Sequence, residues 1–248
     1  MIPCRVVIPS RQRSRLVAKK ALRLFPQATL CVGRLEAKDY ARSCPDVEIV
    51  THPDSVVGIG PLRQWMLDHF PDDRLCFVDD DVHALYALVG LHKRDVTDPL
   101  DVQRAVDVAA QCAAEAKTGV FGFNQAWDVR KFRPHAPFML NSWIGGVIGV
   151  VGREIKYDTS LLMRADIDFC LQALMKYRIV WQDARLSFVH DRSGVTGGNA
   201  VARSKRREEK ELKYLKEKWG RYLEYREVQT TLRLMVHVQR VWPLSHAV

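Results

Sequence analysis

Arg74-Leu-Cys-Phe-Val-Asp-Asp-Asp-Val82 is an apolar run that stops abruptly in three consecutive acids, Asp79, Asp80 and Asp81. An uninterrupted apolar stretch of this kind reads as a strand buried on both faces of a parallel sheet, and the carboxyl ends of such strands are where open α/β sheets bind ligands. Three adjacent carboxylates repel one another unless a cation or several donors lie among them. Hard divalent ions take carboxylate and phosphate oxygens, so Mg2+ or Mn2+ that also holds a diphosphate accounts for the triplet. A solvated acidic turn accounts for an isolated triplet equally well, and the flanking sequence has to decide.

Upstream, short apolar runs alternate with amphipathic stretches. Arg5-Val-Val-Ile-Pro9 is a strand, Ala18, Leu22 and Phe25 mark one face of a helix, and Ala28-Thr-Leu-Cys-Val32 is the next strand, ended by Gly33. A short helix around Glu36 to Arg42 leads to Val47-Glu-Ile-Val50. Pro61 then opens a helix whose Leu62, Trp65, Met66 and His69 share a face, ahead of the acidic strand. Four strands joined by crossover helices imply a doubly wound parallel sheet.

The 248 residues are 47% hydrophobic, enough for one large core. No apolar run reaches the ~18 residues of a spanning helix, and Arg5 interrupts the apolar start, so neither a membrane partner nor a signal peptide is expected and the chain reads as soluble and intracellular. Six scattered cysteines without a CxxC pair indicate neither a zinc site nor a disulfide framework. The net charge of +9 is uneven: residues 1 to 35 hold eight Lys/Arg and no acid, and Arg203 to Arg226 hold ten Lys/Arg against five Glu. Basic faces suit a polyanion such as DNA or the phosphates of a nucleotide, while a solvated helix with Glu–Lys pairing is the plain alternative for the second segment.

After the acids, Leu85 to Val89 reads as a strand, Pro99 to about Lys117 as a helix and Gly119 to Phe123 as a strand. Asn124 to Leu140 is a loop carrying Trp127 and Phe132 with Arg130, Lys131, Arg133 and His135, the composition of a substrate-binding loop. Trp143 to Val151 reads as a strand whose Gly145 and Gly146 allow a ligand to approach backbone, or simply mark a bulge. Asp166 and Asp168 stand at the start of a helix, where the dipole favours the ionised form that a cap or a general base needs. His190 follows an apolar strand and precedes Ser193-Gly194-Val-Thr196-Gly197-Gly198-Asn199, a loop able to turn N–H groups toward phosphates. His190 itself can serve as a metal's nitrogen ligand or as an ordinary strand-end histidine.

The order of these features resembles the GT-A class of nucleotide-sugar-dependent glycosyltransferases: Asp79-Asp80-Asp81 fits its Asp-x-Asp motif, Ala165-Asp166-Ile-Asp168 its acceptor-helix motif, with Ala165 where Glu is common, and His190 its late metal-binding histidine. Ile8-Pro-Ser-Arg11, Gly58-Ile-Gly-Pro-Leu-Arg63, Phe77-Val-Asp-Asp-Asp81 and His190 with Ser193-Gly-Val-Thr-Gly-Gly-Asn199 resemble more closely the TET-associated glycosyltransferases, bacteriophage enzymes that act on hydroxymethylated pyrimidines in DNA.

The resemblance implies a GT-A fold, an α/β, Rossmann-like, mostly parallel sheet with helices on both faces, over residues 1–200. A basic helix and tail over 201–248 would pack on the same domain. It implies Mn2+ or Mg2+ and a UDP-sugar donor (UDP-glucose, UDP-galactose or UDP-N-acetylglucosamine), a DNA acceptor bearing 5-hydroxymethylcytosine or another hydroxymethylated pyrimidine, and work in the cytoplasm of an infected bacterial host; the oligomeric state stays open, with a monomer favoured. Ser10, Arg11 and Arg13 would then lie near the base and ribose, and Arg63 near the diphosphate. Asp79, Asp81 and His190 would hold the metal, with Asp79 also able to touch the ribose and Asp80 and the Gly145–Gly146 backbone on the donor side. Ser193, Gly194, Thr196, Gly197 and Gly198 would supply donors to the phosphates. Asp166 would be the general base with Asp168 as substitute or helper. Arg130, Lys131, Arg133 and His135, together with Arg203, Arg206 and Arg207, would contact DNA.

Two other classes remain open on sequence. A GT-A enzyme with a glycan, lipid or small-molecule acceptor keeps the metal site and makes the basic faces incidental. A nucleotidyltransferase also joins an α/β sheet, acids and a nucleotide, but Pro9-Ser-Arg-Gln-Arg-Ser14 lacks the glycine of its usual loop. A non-catalytic DNA-binding module has no need of the acids with His190. Inversion or retention at the anomeric carbon is equally open.

Overall fold

The computed structural model describes residues 2–124, 128–191, 204–228 and 231–236, with backbone alone at 131, 225–228 and 231–236. Strands β1 (Arg5–Pro9), β2 (Thr29–Gly33), β3 (Ile49–His52) and β4 (Arg74–Val78) pair in parallel in the order β3-β2-β1-β4. Every residue of β4 is buried, as the apolar run Leu75–Val78 requires, and Arg74 at its start donates to the Ile2 carbonyl and to Gln111. The crossovers are helical: α1 (Ser14–Lys19) and α2 (Ala21–Leu24), then α3 (Ala37–Ser43), then α4 (Ile59–His69). One helix was expected between β1 and β2. The chain breaks it at Lys20, whose φ of −121° and ψ of −94° leave the helical region.

Beyond the acids the chain forms β5 (Ala84–Val89), β6 (His92–Asp95), α5 (Pro99–Glu115), β7 (Val120–Asn124), β8 (Phe138–Met139), β9 (Val147–Val151), α6 (Ala165–Tyr177) and β10 (Trp181–Val189). The main sheet runs in the order β3-β2-β1-β4-β9-β7-β10-β5-β6, and β8 pairs with β10 off that path. The parallel arrangement therefore covers the first four strands and the β7–β10 pair, while β9 lies antiparallel between β4 and β7. A loop without an α-helix joins β7 to β9, and a connection of that kind suits antiparallel neighbours, whereas parallel ones need a helical crossover. β9 is also shorter than the expected strand from Trp143, because Gly146 at φ +73° turns the backbone out of the extended conformation.

Helices cover both faces. On one, Val17, Leu22, Tyr40 and Val106 of α1, α2, α3 and α5 pack on Val6, Ile8, Leu30 and Cys76. On the other, Met66 of α4 and Phe169 and Leu171 of α6 pack on Val7, Cys31, Phe77 and Ile148, joined by Leu215 of α7 (Lys205–Trp219). Trp219 and Tyr222 pack on that second core, and Leu212 is half-buried, so these apolar residues, which recur at helical spacing, face inward. β11 (Leu223–Val228) and β12 (Thr231–Val236) form a separate hairpin. Among the described residues no helix is long and apolar enough to cross a membrane.

Candidate active site

The end of β4 meets the start of β9. The Asp79 N–H donates to the Gly146 carbonyl at 2.8 Å, and the Val82 N–H returns to the Asp79 carbonyl at 3.1 Å, closing a tight turn through the three acids. A Cβ on Gly146 would lie 2.8 Å from His190 Nδ1, so the absence of a side chain there admits the imidazole. Gly145, Gly146 and His190 line a small open cleft together with Val82, Phe123 and Phe188.

One ligand atom from each of Asp79, Asp81 and His190 lies within 4.8 Å of the others. Two ionised carboxylates at that separation repel by roughly 3 kcal/mol at an effective dielectric of about 20. Burial, with Asp79 and Asp80 adding to it, pushes the Asp81 carboxyl up to about 7, and Asp81 Oδ1 is buried and has no hydrogen-bond partner among the described residues. An orphaned buried oxygen in a crowded anionic group fits a hard cation, and two carboxylates with an imidazole form a suitable donor set for Mn2+ or Mg2+.

Asp80 points the other way. Its Oδ2 accepts from Ser10 Oγ at 2.6 Å and its Oδ1 from Arg13 Nη1 at 2.8 Å, while Tyr40 Oη donates to Ser10 Oγ at 2.7 Å and accepts from the Arg13 N–H at 3.1 Å. Ser10, Tyr40 and Asp80 are all buried. Burial raises the Asp80 carboxyl in spite of these bonds. Ser10, Arg13 and Asp80, expected around the donor nucleotide, thus tie the β1 loop to the acidic turn; the Ser10 hydroxyl and the Asp80 carboxylate face the protein interior. Tyr40 carries no motif that marks it in the sequence.

The Gly58–Arg63 segment brings a cation to the acids. Gly58 has φ +95°, and a Cβ on Gly60 would lie 2.3 Å from the Leu161 carbonyl oxygen. These glycines let the start of α4 lie against the turn before α6, with the Ile59 N–H donating to Leu162 O at 2.7 Å and the Gly60 N–H to Leu161 O at 3.2 Å. Arg63, 2% exposed, then donates from Nη2 to Asp79 Oδ1 at 3.2 Å, with its guanidinium 6.0 Å from the centre of the Tyr157 ring.

Asp166 and Asp168 part company on α6. Asp166 is half-buried, and among the described residues its carboxylate takes a hydrogen bond from the Ile167 N–H at 3.0 Å. Burial raises its carboxyl, Arg63 opposes the rise and Asp79 adds to it. Asp168 is 0% exposed; Oδ1 accepts from Trp219 Nε1 at 2.8 Å and pairs with Lys218 Nζ at 2.8 Å, and Oδ2 accepts from Gln172 Nε2 at 2.7 Å. With both oxygens engaged and no exposed surface, Asp168 is an anchor between α6 and α7. The substitute base expected at Asp168 therefore has no exposed carboxylate to offer.

A family model described as TET-Associated Glycosyltransferase matches residues 4–198. The chain belongs to the TET-associated glycosyltransferase family. No curated protein matches it. Among solved structures, glucosyl-3-phosphoglycerate synthase from Mycobacterium tuberculosis, in complex with Mn2+, UDP and glucosyl-3-phosphoglycerate, is similar at 11% identity with a TM-score of 0.52, over 95% of this chain and 87% of that one. S. aureus TarS 1–349 in complex with UDP-GlcNAc is similar at 12% identity with a TM-score of 0.50, over 78% of this chain. The chain spans 60% of the length of that TarS structure. At these identities the likeness shows the fold alone, which is GT-A.

In this TET-associated glycosyltransferase the residues expected on DNA lie at the periphery. Arg133, His135 and Arg206 are exposed, and so is Arg207. Arg130 is exposed as well, with Nε and Nη2 on the two oxygens of Asp128 at 2.9 and 3.0 Å. Arg11 extends toward Glu36, 4.0 Å away. Ser193, Gly194, Thr196, Gly197, Gly198, Arg203 and Trp127 lie outside the described residues, as does the Lys131 side chain.

The turn ahead of α6 is held by contacts that no local pattern announced. Glu211 of α7 accepts hydrogen bonds from the N–H groups of Leu162, Met163 and Arg164. Asp158 accepts from Lys218 Nζ at 2.9 Å and Tyr214 Oη at 2.6 Å, and from the Ser160 hydroxyl at 2.6 Å. Although burial works against it, these bonds hold the Asp158 carboxyl well below the usual range. A depressed folded-state pKa contributes stability that is present above the unfolded value of about 3.9 and is lost as pH falls through the folded value. Asp158→Asn is therefore expected to cost on the order of 2 kcal/mol at neutral pH. In urea titrations across acid pH, the wild type should lose stability below about pH 4 more steeply than the variant; parallel curves would remove Asp158 from the account.

Proposed function

We propose that the protein transfers a sugar from a UDP-sugar to the hydroxyl of 5-hydroxymethylcytosine in DNA, with Mn2+ or Mg2+ held by Asp79, Asp81 and His190. The observation that carries this reading is the convergence of that anionic, partly orphaned ligand group with Arg63 and Asp166 at the carboxyl end of β4, in a chain of this family. When bound there, the ion would offset the negative charge that gathers on the departing nucleoside diphosphate. Arg63 holds Asp79 in orientation and places a fixed positive charge beside it. Asp166 receives the acceptor hydroxyl's proton on its carboxylate as the oxygen attacks the anomeric carbon, and a carboxyl raised by burial is the stronger base for that task. Gly145 and Gly146 leave backbone bare along the cleft, and Ser193 to Gly198 would supply donors to the phosphates.

The DNA acceptor is supported by the family and by the distribution of charge. α7 turns Leu215 inward and leaves Lys205, Arg206, Arg207 and Lys210 exposed, a stripe suited to phosphates. The hydroxymethyl group projects from the pyrimidine edge into the major groove, where the Arg130–His135 loop could meet it, or the base leaves the stack to enter the site. Incubating the protein with Mn2+ and a panel of sugar nucleotides on hydroxymethylcytosine DNA, unmodified DNA and a lipid acceptor, followed by mass spectrometry, tests the whole reading. A mass increment confined to the lipid would move the acceptor to another class.

Reversing the charge at Arg206 and Arg207 should weaken DNA binding and lower the slope of log K against log salt by about 0.9 for each phosphate that is no longer neutralised. Donor hydrolysis without acceptor should be unchanged. Binding that is indifferent to salt in the wild type would assign the basic stripe to something other than nucleic acid.

A further inference from the structure

α6 begins without a cap of its own. Its N-cap residue, Arg164, makes no side-chain capping bond, and the half-buried turn that leads into the helix has N–H groups of its own that need an acceptor. That acceptor comes from another helix: Glu211 Oε1 accepts from the Leu162 N–H at 2.9 Å, and Oε2 from the Met163 and Arg164 N–H groups, both at 3.2 Å. Glu211 is 5% exposed, so its charge is committed to these three successive amides. The opposite side of the same turn is fixed by α4, through the Ile59 and Gly60 N–H groups on the carbonyls of Leu162 and Leu161. Asp166 follows two residues later.

We infer that Glu211 is a positioning residue for Asp166: its carboxylate, supplied by α7, clasps the turn that leads into α6 and sets where α6, and so the base, stands relative to Arg63 and Asp79. This assignment rests on the transfer reaction proposed above. A carboxylate accepting from consecutive amides is a rigid fixture, because each of its bonds is charge-assisted and the three share one direction. Without it, three amides lose their partner beside a half-buried helix start, and the turn moves to find water. Misplacing a catalytic group by about 1 Å costs on the order of 10²-fold in rate, so even a small drift should be visible.

The test compares Glu211→Ala and Glu211→Gln with Leu215→Ala, which weakens the packing of α7 and leaves the three amides capped. For Glu211→Ala, kcat for transfer should fall at least about 10-fold with the donor KM within about twofold, and Glu211→Gln should fall in between. Hydrogen exchange should quicken at the amides of residues 162–164 in Glu211→Ala. Leu215→Ala should lower the melting temperature by a comparable amount with kcat nearly unchanged. Wild-type kcat in Glu211→Ala, unaltered amide exchange, or an equal loss of kcat in Leu215→Ala would each overturn the inference; if Glu211→Ala does not fold, Glu211→Gln is read against the same outcomes. A wild-type protein that transfers sugar to no acceptor would instead bring down the proposed reaction and this role with it, a result distinct from an active wild type beside an indifferent Glu211 variant.

Discussion

Asp166→Asn is expected to lower the rate of sugar transfer by ~10²- to 10⁴-fold while donor affinity, measured by calorimetry, stays within about twofold. The substitution keeps the shape of the side chain and its bond from the Ile167 N–H, so the loss isolates the missing proton acceptor. Burial is the main cause of the raised Asp166 carboxyl, and a cation on Asp79 would cancel the part that Asp79 adds without touching the burial. The acid limb of the rate profile should therefore lie above the ordinary carboxylate range: activity rises as pH climbs through the raised value, and the limb is absent from the variant. Asp168→Asn should differ in kind. Its cost should appear in stability, because the side chain is enclosed by Lys218, Trp219 and Gln172. If Asp168→Asn were the less active of the two and equally stable, the assignment of the base would be reversed.

Asp81→Asn is expected to remove at least ~10²-fold of activity, the scale on which a lost electrostatic stabiliser is felt. The metal-free protein should respond in the opposite direction. A carboxyl whose folded pKa of about 7 stands above the unfolded value binds its proton more tightly in the folded state, so its contribution is full below the unfolded pKa and declines as pH rises through the folded one. At neutral or higher pH without metal, Asp81→Asn should therefore melt above the wild type. Mn2+ should raise the melting temperature of the wild type and leave the variant nearly unmoved. Retention of full activity by the variant in EDTA would exclude the acidic turn as a metal site.

The central strands and the metal group were legible because one local signal carries each. Buried parallel strands are continuous apolar runs, and acids or a histidine at the ends of such runs are conspicuous. β6 was not: His92-Lys93-Arg94-Asp95 is exposed throughout, so no apolar alternation marks it. The different fates of Asp166 and Asp168 follow from helix phase, since two residues at ~100° each set their side chains on nearly opposite sides. Only one of the pair could face the acids, and sequence alone did not say which. Glu211, Lys218 and Trp219 act on partners some fifty residues away, and nothing in their own neighbourhood reveals a contact that only the packing of α7 against α6 creates. Ser10 and Asp80 stand where ligands bind, and nothing in the sequence signalled the hydrogen bond by which Tyr40 of α3 joins them.

The enclosure of Asp168 also bears on how small a working fragment can be. The family match ends at residue 198, but Lys218 and Trp219, which answer the Asp168 charge, come later in the chain. A fragment cut at the family boundary would strip both groups from Asp168 and uncover the part of the second core on which Leu215 and Trp219 pack. It would also deprive three amides of Glu211. The family-matched region is thus not an autonomous cassette: whatever length of sequence a truncation or fusion preserves, it has to carry α7 along.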